Sequence, residues 1–138
     1  MKSRKPLTEY DIVMLIDDNE LDNFVNQKIM EANNFAARYF THSSGRSAIE
    51  FLRNILVLPD YENMMPRIIF IDINMPIMSG FQFIEELERI LSTSINKIKL
   101  VVLTTSIDLE DKKKAAKFNN EILFFNKPLT EASLSLLK

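Results

Sequence analysis

Five polar side chains stand just behind short apolar runs in this sequence. Asp17 and Asp18 follow the run DIVMLI, Asp72 follows RIIFI, Thr104 follows KLVVL, and Lys127 comes shortly after EILFF. Each has an ordinary structural explanation, since Asp and Thr often form turns or cap helices and a lone lysine is usually solvated. The joint pattern of three carboxylates, a hydroxyl and an ammonium group is harder to explain in that way.

Three carboxylates that lie close together favour the binding of a divalent cation. Without a positive charge they repel one another and raise each other's pKa values, and carboxylate oxygens suit Mg²⁺, Mn²⁺ or Ca²⁺. Mg²⁺ commonly binds one or two carboxylates together with phosphate oxygens, and an Asp carboxylate can itself be a phosphoryl nucleophile. Lys127 would supply positive charge and Thr104 a hydrogen bond to the transferred group. The residues therefore predict a metal-binding pocket for phosphoryl chemistry.

Alternating apolar runs and amphipathic stretches predict five strands, each followed by a helix. The strands are expected at residues 11–16, 38–41, 67–71, 99–103 and 121–125, with a loop at 60–66. Helical spacing is found at Leu21, Phe24, Val25 and Ile29, after the capping residue Ser44, through 81–91, and again at 109–118 and from Thr130.

Five such units call for a parallel sheet, because right-handed crossovers place the helices on both of its faces. The expected fold class is therefore α/β, a doubly wound five-stranded parallel sheet with the flavodoxin-like strand order 2-1-3-4-5. Ligands of such sheets bind at the carboxyl ends of the strands. In this order the strands that precede the five polar residues are neighbours, so their side chains are expected to converge on one edge.

Composition excludes several other classes of protein. The chain has 138 residues, of which 46% are hydrophobic, which fits one soluble domain with its own core. It contains no cysteine, so disulfides and thiolate metal sites are excluded and a cytoplasmic location is expected. A net charge of −2 gives no basic surface for nucleic acid, and two glycines are too few for the common nucleotide-binding loops. No apolar run approaches the roughly 20 residues of a membrane span.

At these residues the chain resembles the receiver domain of response regulators, which carry the aspartyl-phosphate switch of two-component signalling. The resemblance covers about residues 11–137 and rests on the pieces MLIDDNELDN, IIFIDINMPIMSGFQF, VVLTTS and FFNKP. It implies one receiver domain over residues 1–138, of the stand-alone, chemotaxis-regulator-like type, with residues 1–10 as an N-terminal extension.

The resemblance also implies a role for each acid of the pocket. Asp72 would be the phosphoacceptor, Asp18 a direct metal ligand and Asp17 the second acid, acting partly through water. The backbone carbonyl of Asn74 would be a further ligand, together with Asp72, and the metal would be Mg²⁺ or Mn²⁺.

The remaining site residues are assigned in the same way. Thr104 and Lys127 would contact the phosphoryl group, and Thr104 would form the switch together with Phe124, which stands three residues before the lysine. Gly80 matches the glycine that follows the loop behind the acceptor strand. A cis peptide bond is expected between Lys127 and Pro128.

The implied partners are proteins. A sensor histidine kinase or a histidine phosphotransfer protein would donate the phosphoryl group, as in a phosphorelay, and a downstream protein would bind the surface of the fourth helix, the fifth strand and the fifth helix. The resemblance implies a monomer or a phosphorylation-dependent dimer, without nucleic acid or membrane. It implies no enzymatic activity beyond self-catalysed phosphotransfer and autodephosphorylation.

Two alternatives remain open at this point. One is a Mg²⁺-dependent phosphatase of the haloacid-dehalogenase type, but Asn74 stands where such enzymes need a second acid, and an amide cannot act as a general acid. The other is a binding module that works without phosphorylation, which would have no reason to keep all five polar groups.

Overall fold

Five parallel strands form one sheet, and the order of the strands is β2-β1-β3-β4-β5. The computed structural model describes residues 8–105, 107–118 and 120–138. The strands are β1 (Tyr10–Ile16), β2 (Ala36–His42), β3 (Ile68–Asp72), β4 (Lys99–Thr104) and β5 (Ile122–Asn126). The helices are α1 (Glu20–Ala32), α2 (Gly45–Leu56), α3 (Gly80–Leu91), α4 (Leu109–Ala115) and α5 (Glu131–Ser135). The predicted doubly wound α/β fold and its strand order are confirmed.

Helices cover both faces of the sheet. Since successive side chains of a strand point to opposite faces, the side chains on both faces are buried. On β3, Ile69 and Ile71 pack with residues of α2 and α3, whereas Ile68 and Phe70 pack with Met30 of α1 and with residues of the α5 region. All four β3 side chains are fully buried. This two-sided packing explains why the strands are continuous apolar runs in the sequence, and it holds their carboxyl ends in a fixed arrangement.

Most strand boundaries differ from the sequence prediction by one or two residues. Three differences say more about the fold. The expected loop at 60–66 contains a short 3₁₀ helix, Tyr61–Asn63. Helix α4 ends at Ala115 instead of residue 118, because the amides of Lys117 and Phe118 bond to carbonyls three residues back. Tyr10 belongs to β1, and its hydroxyl donates to the carbonyl of Leu137 (2.9 Å), so the fold includes the end of the expected extension 1–10. Residues 1–7 lie outside the described residues.

Helix α1 turns a polar side toward the sheet. The spacing of Leu21, Phe24 and Val25 predicted a helix, which is confirmed, but these three side chains are 67%, 59% and 37% exposed. Asn23 and Asn26 are buried in their place.

No helix in the described part of the chain has the length and apolar composition that crossing a bilayer requires.

The two buried asparagines satisfy backbone groups at the carboxyl edge of the sheet. The side-chain amide of Asn23 donates to the carbonyls of Asp17 (3.1 Å) and His42 (3.2 Å), at the ends of β1 and β2. The Asn26 oxygen accepts a hydrogen bond from the amide of Leu129 (3.2 Å). Buried backbone groups need such partners, and the contacts fix α1 against the loops that carry the polar residues.

Gly80, the first residue of α3, is packed against the end of β3. A Cβ atom there would lie 2.7 Å from both the carbonyl oxygen of Asp72 and the Cα of Ile73. Since these backbone atoms cannot move without shifting the strand end, we expect Gly80→Ala to lower the free energy of unfolding by about 1–3 kcal/mol. Urea denaturation measures this change.

The matched control is Gly45→Ala, at the first residue of α2. The nearest atom to a Cβ there is Sδ of Met78, at 2.9 Å, and this flexible side chain can move aside. The control should therefore cost clearly less stability than Gly80→Ala. Equal losses in the two variants would contradict the packing argument.

Candidate acidic site at the carboxyl edge of the sheet

The parallel register brings the ends of the central strands together. Ile16, the last residue of β1, pairs with Ile71 of β3, and Asp72 pairs with Leu103 of β4. The backbone amide of Lys127, just after β5, donates to the carbonyl of Thr104 (2.8 Å). The structure therefore brings together the polar residues that the sequence analysis selected: Asp17, Asp18, Asp72, Thr104 and Lys127.

The two buried acids are held by the same local device. Oδ1 of Asp17 accepts a hydrogen bond from the amide of Asn19 (2.9 Å), and Oδ1 of Asp72 accepts one from the amide of Asn74 (3.1 Å). Such turns, in which an Asp side chain binds the backbone two residues on, are common where a strand ends. In each acid one oxygen is thereby fixed, and the other, Oδ2, faces Lys127.

The ammonium group of Lys127 lies among three carboxylates. Its Nζ is 2.6 Å from Oδ2 of Asp17, 3.1 Å from Oδ2 of Asp22 and 3.6 Å from Oδ2 of Asp72. The side chain is 11% exposed. Burial acts to lower the pKa of Lys127, but the three carboxylates outweigh it and raise the pKa above its usual value. Lys127 therefore carries its positive charge throughout the neutral range.

The contact between Lys127 and Asp17 is the shortest of the three ion pairs. The buried Oδ2 of Asp17 thus has the ammonium group of Lys127 as its partner at 2.6 Å. Buried charged oxygens normally gain such partners. A metal bound at this oxygen would have to share it with Lys127 or displace the ammonium group.

Burial raises the pKa of Asp72, and the nearby charges of Asp17 and Asp18 raise it further. The amide of Asn74 and the ammonium of Lys127 act in the opposite direction but do not cancel the effect. The protein groups alone therefore leave the ionised carboxyl group of Asp72 under-stabilised. Additional positive charge at this edge would favour its ionised form.

The donor atoms suit a hard divalent cation. Asp17, Asp18 and Asp72 each offer one carboxylate oxygen, and these oxygens lie within 4.8 Å of one another. Two of the three residues are buried, and Asp18 is exposed to solvent, where it could bind a hydrated ion. Oxygen-only ligands of this kind favour Mg²⁺ or Mn²⁺ over softer metals. This set of three carboxylates fits the metal that the sequence analysis expected.

Phe124 lies outside the pocket, on the face of the sheet that α2 and α3 cover. Its half-buried ring packs against the apolar side chains between the sheet and these two helices, and its backbone pairs with Val102, two residues before Thr104 on β4.

The peptide bond between Lys127 and Pro128 is cis, which confirms the sequence prediction.

Asp22 is the site residue that the sequence analysis missed. It lies in the first turn of α1, where acids are common because they interact favourably with the helix dipole. Its contact with Lys127 joins residues that are 105 positions apart in the chain. The only signal in the sequence is its place four residues after Asp18, one helical turn behind the acidic pair.

The sequence and structure were compared with those of known proteins. The model of a family described as the response regulator receiver domain matches residues 13–136. The crystal structure of a two-component response regulator from Cytophaga hutchinsonii is 31% identical, covers 94% of each chain and superposes with a TM-score of 0.82.

Two further relatives are more distant. The probable methanogenesis regulatory protein FilR2 of Methanothrix harundinacea is 26% identical over 120 residues, which are 86% of this chain and 73% of FilR2. The phosphorylated cyanobacterial phytochrome response regulator RcpA is 26% identical, with coverage of 93% and 86% and a TM-score of 0.68. With the family match over most of its length, the chain belongs to the response regulator receiver domains.

Proposed function

We propose that this receiver domain accepts a phosphoryl group on Asp72. The observation that carries the proposal is the orientation of that carboxyl group: Oδ1 is fixed by the amide of Asn74, while Oδ2 faces the ammonium of Lys127 at 3.6 Å. The other acids of the cluster, Asp17 and Asp18, lie beside it. A positioned carboxylate next to a cation is suited to attack phosphorus.

The pocket residues would have two different roles in the transfer. Asp17, Asp18, Asp72 and the backbone carbonyl of Asn74 would hold Mg²⁺ or Mn²⁺. When bound, this metal would offset negative charge on the phosphoryl oxygens. Lys127 would pair with another phosphoryl oxygen.

The proposed donor is the phosphohistidine of a sensor kinase or of a phosphotransfer protein. Oδ2 of Asp72 would attack its phosphorus atom, and the bond from phosphorus to the histidine nitrogen would break. Water would later hydrolyse the acyl phosphate, so the domain would also reset itself.

The proposed output is a change in the surface of α4, β5 and α5, which a downstream protein would recognise. Thr104 is buried at the end of β4, beside the pocket. Its hydroxyl would move toward the phosphoryl group and draw the following loop with it. The ring of Phe124, packed only in part against the core cluster, could then turn inward. We propose that the domain signals in this way, by contact between proteins.

Labelling by a small phosphodonor tests the acceptor. Acetyl phosphate with Mg²⁺ should label the wild type, and the product should be labile to hydroxylamine, as an acyl phosphate is. Asp72→Asn should abolish the label because an amide cannot take the place of the attacking carboxylate. Asp60→Asn, at an exposed acid without a side-chain capping bond, is the control and should be labelled normally. Undiminished labelling of Asp72→Asn would refute the assignment.

Thermal unfolding tests the metal site. If Mg²⁺ binds only the folded domain, a concentration of ten times its Kd should add roughly 1.4 kcal/mol to the free energy of unfolding. Asp18→Asn should remove most of this gain, and it should not destabilise the metal-free domain, because it relieves repulsion among the acids. Identical melting curves for the wild type in Mg²⁺ and in chelator would contradict the metal proposal.

Chemical shifts test the switch. With Mg²⁺ and the phosphoryl mimic beryllofluoride, the amides of α4 and β5 should shift in the wild type. Thr104→Ala should still bind the mimic but lose most of those shifts, because the hydroxyl that moves the loop is absent. Thr41→Ala, at an exposed strand threonine, should behave as the wild type. A full wild-type pattern in Thr104→Ala would show that the coupling takes another route.

A further inference from the structure

Asp22 gives Lys127 a hydrogen-bonded carboxylate that does not belong to the acidic cluster. Its Oδ2 accepts a hydrogen bond from Nζ of Lys127 at 3.1 Å, and its side chain is 36% exposed. The potential metal ligands are Asp17, Asp18 and Asp72, and Asp22 is not among them. Among the described partners of Lys127, Asp22 is therefore the carboxylate that a metal bound to the cluster would not use.

The first turn of α1 holds Asp22 in place from several sides. Its own amide donates to the capping side chain of Asn19 (3.1 Å). The next residue, Asn23, binds the carbonyl groups that end β1 and β2. One turn later, Asn26 binds the amide of Leu129, two residues after Lys127. Helix α1 thus contacts both the ammonium group of Lys127 and the backbone that follows it, so the position of Asp22 relative to Lys127 is fixed.

A metal held by Asp17 and Asp18 would compete with Lys127 for Oδ2 of Asp17. Lys127 lies 2.6 Å from that oxygen but 3.6 Å from Oδ2 of Asp72. If the metal takes Asp17, the ammonium group needs another anchor that keeps it beside Asp72. Asp22 is already within hydrogen-bond distance and can supply it.

We propose that Asp22 is a positioning residue for phosphoryl transfer, which holds the ammonium group of Lys127 beside Asp72 while a metal occupies Asp17. This inference rests on the proposed function. In the reaction with acetyl phosphate, Oδ2 of Asp72 forms a bond to phosphorus, and acetate leaves with the electron pair of the broken P–O bond. Asp22 does not touch the reacting atoms. It acts by keeping Lys127 where the phosphoryl oxygens arrive.

The experiment compares initial rates of labelling by acetyl phosphate in saturating Mg²⁺. Asp22→Asn should slow labelling by about three- to tenfold. Misplacing the ammonium group of Lys127 should reduce the rate more than removing a screened surface charge does, but less than removing Lys127 itself. Glu20→Gln is the matched control, since it removes the same charge from an exposed acid in the same helical turn. It should keep the wild-type rate. Asp22→Glu, which can still reach Lys127, should recover most of the loss.

A second background separates positioning from a general effect. In Lys127→Gln, the further change Asp22→Asn should alter beryllofluoride affinity by a factor close to one, because the group that Asp22 positions is gone. In the protein that keeps Lys127, Asp22→Asn should weaken beryllofluoride affinity by the same factor by which it slows labelling. An equal loss in both backgrounds, or an equal loss in Glu20→Gln, would overturn the proposal.

A structure of the wild type with Mg²⁺ and beryllofluoride gives a test without substitutions. Nζ of Lys127 should lie within hydrogen-bond distance of both Asp22 and a fluoride, whereas Asp22 turned away into solvent would overturn the proposal. The experiments distinguish a failure of the proposed function from a failure of the role of Asp22. A wild type that is not labelled on Asp72 contradicts the proposed function, and a labelled wild type with a normal rate in Asp22→Asn contradicts only the role of Asp22.

Discussion

The site depends on one ammonium group buried among carboxylates. Asp17 and Asp72 are almost fully buried side by side, an arrangement that is costly unless a positive charge joins them. Lys127 provides that charge, because β5 lies beside β4 and the lysine amide is bonded to Thr104. The strand order therefore matters to the chemistry: a different neighbour for β4 would leave two buried acids without a cation.

The charge balance of the pocket supports the proposed phosphoryl transfer. One ammonium faces the carboxylates of Asp17, Asp22 and Asp72, and burial together with the nearby acids keeps the pKa of Asp72 raised. Such a pocket gains most from a ligand set that brings a divalent cation and a phosphoryl group together. The two apolar layers that bury the sheet keep these charges in fixed positions, so little reorganisation is needed when the ligands arrive.

Sequence reasoning succeeded where local patterns determine the outcome. Buried parallel strands must be apolar runs, and the groups that follow them must meet at one edge, so Asp72 and Lys127 could be brought together before any coordinates. It predicted the helix α1 but not its buried side, which is set by the carbonyl groups at the ends of β1 and β2. Those groups select Asn23, while Phe24 remains exposed. The contact of Asp22 with Lys127 likewise depends on tertiary packing that no short-range pattern encodes.

The most direct measurement of the central claim is chemical identification of the modified side chain. After reaction with acetyl phosphate and Mg²⁺, borohydride reduces an aspartyl phosphate to homoserine, and peptide mass spectrometry locates the altered residue. The account predicts homoserine at position 72 and unaltered aspartate at Asp17, Asp18 and Asp22. Homoserine at any of those three positions, with Asp72 unchanged, would contradict it.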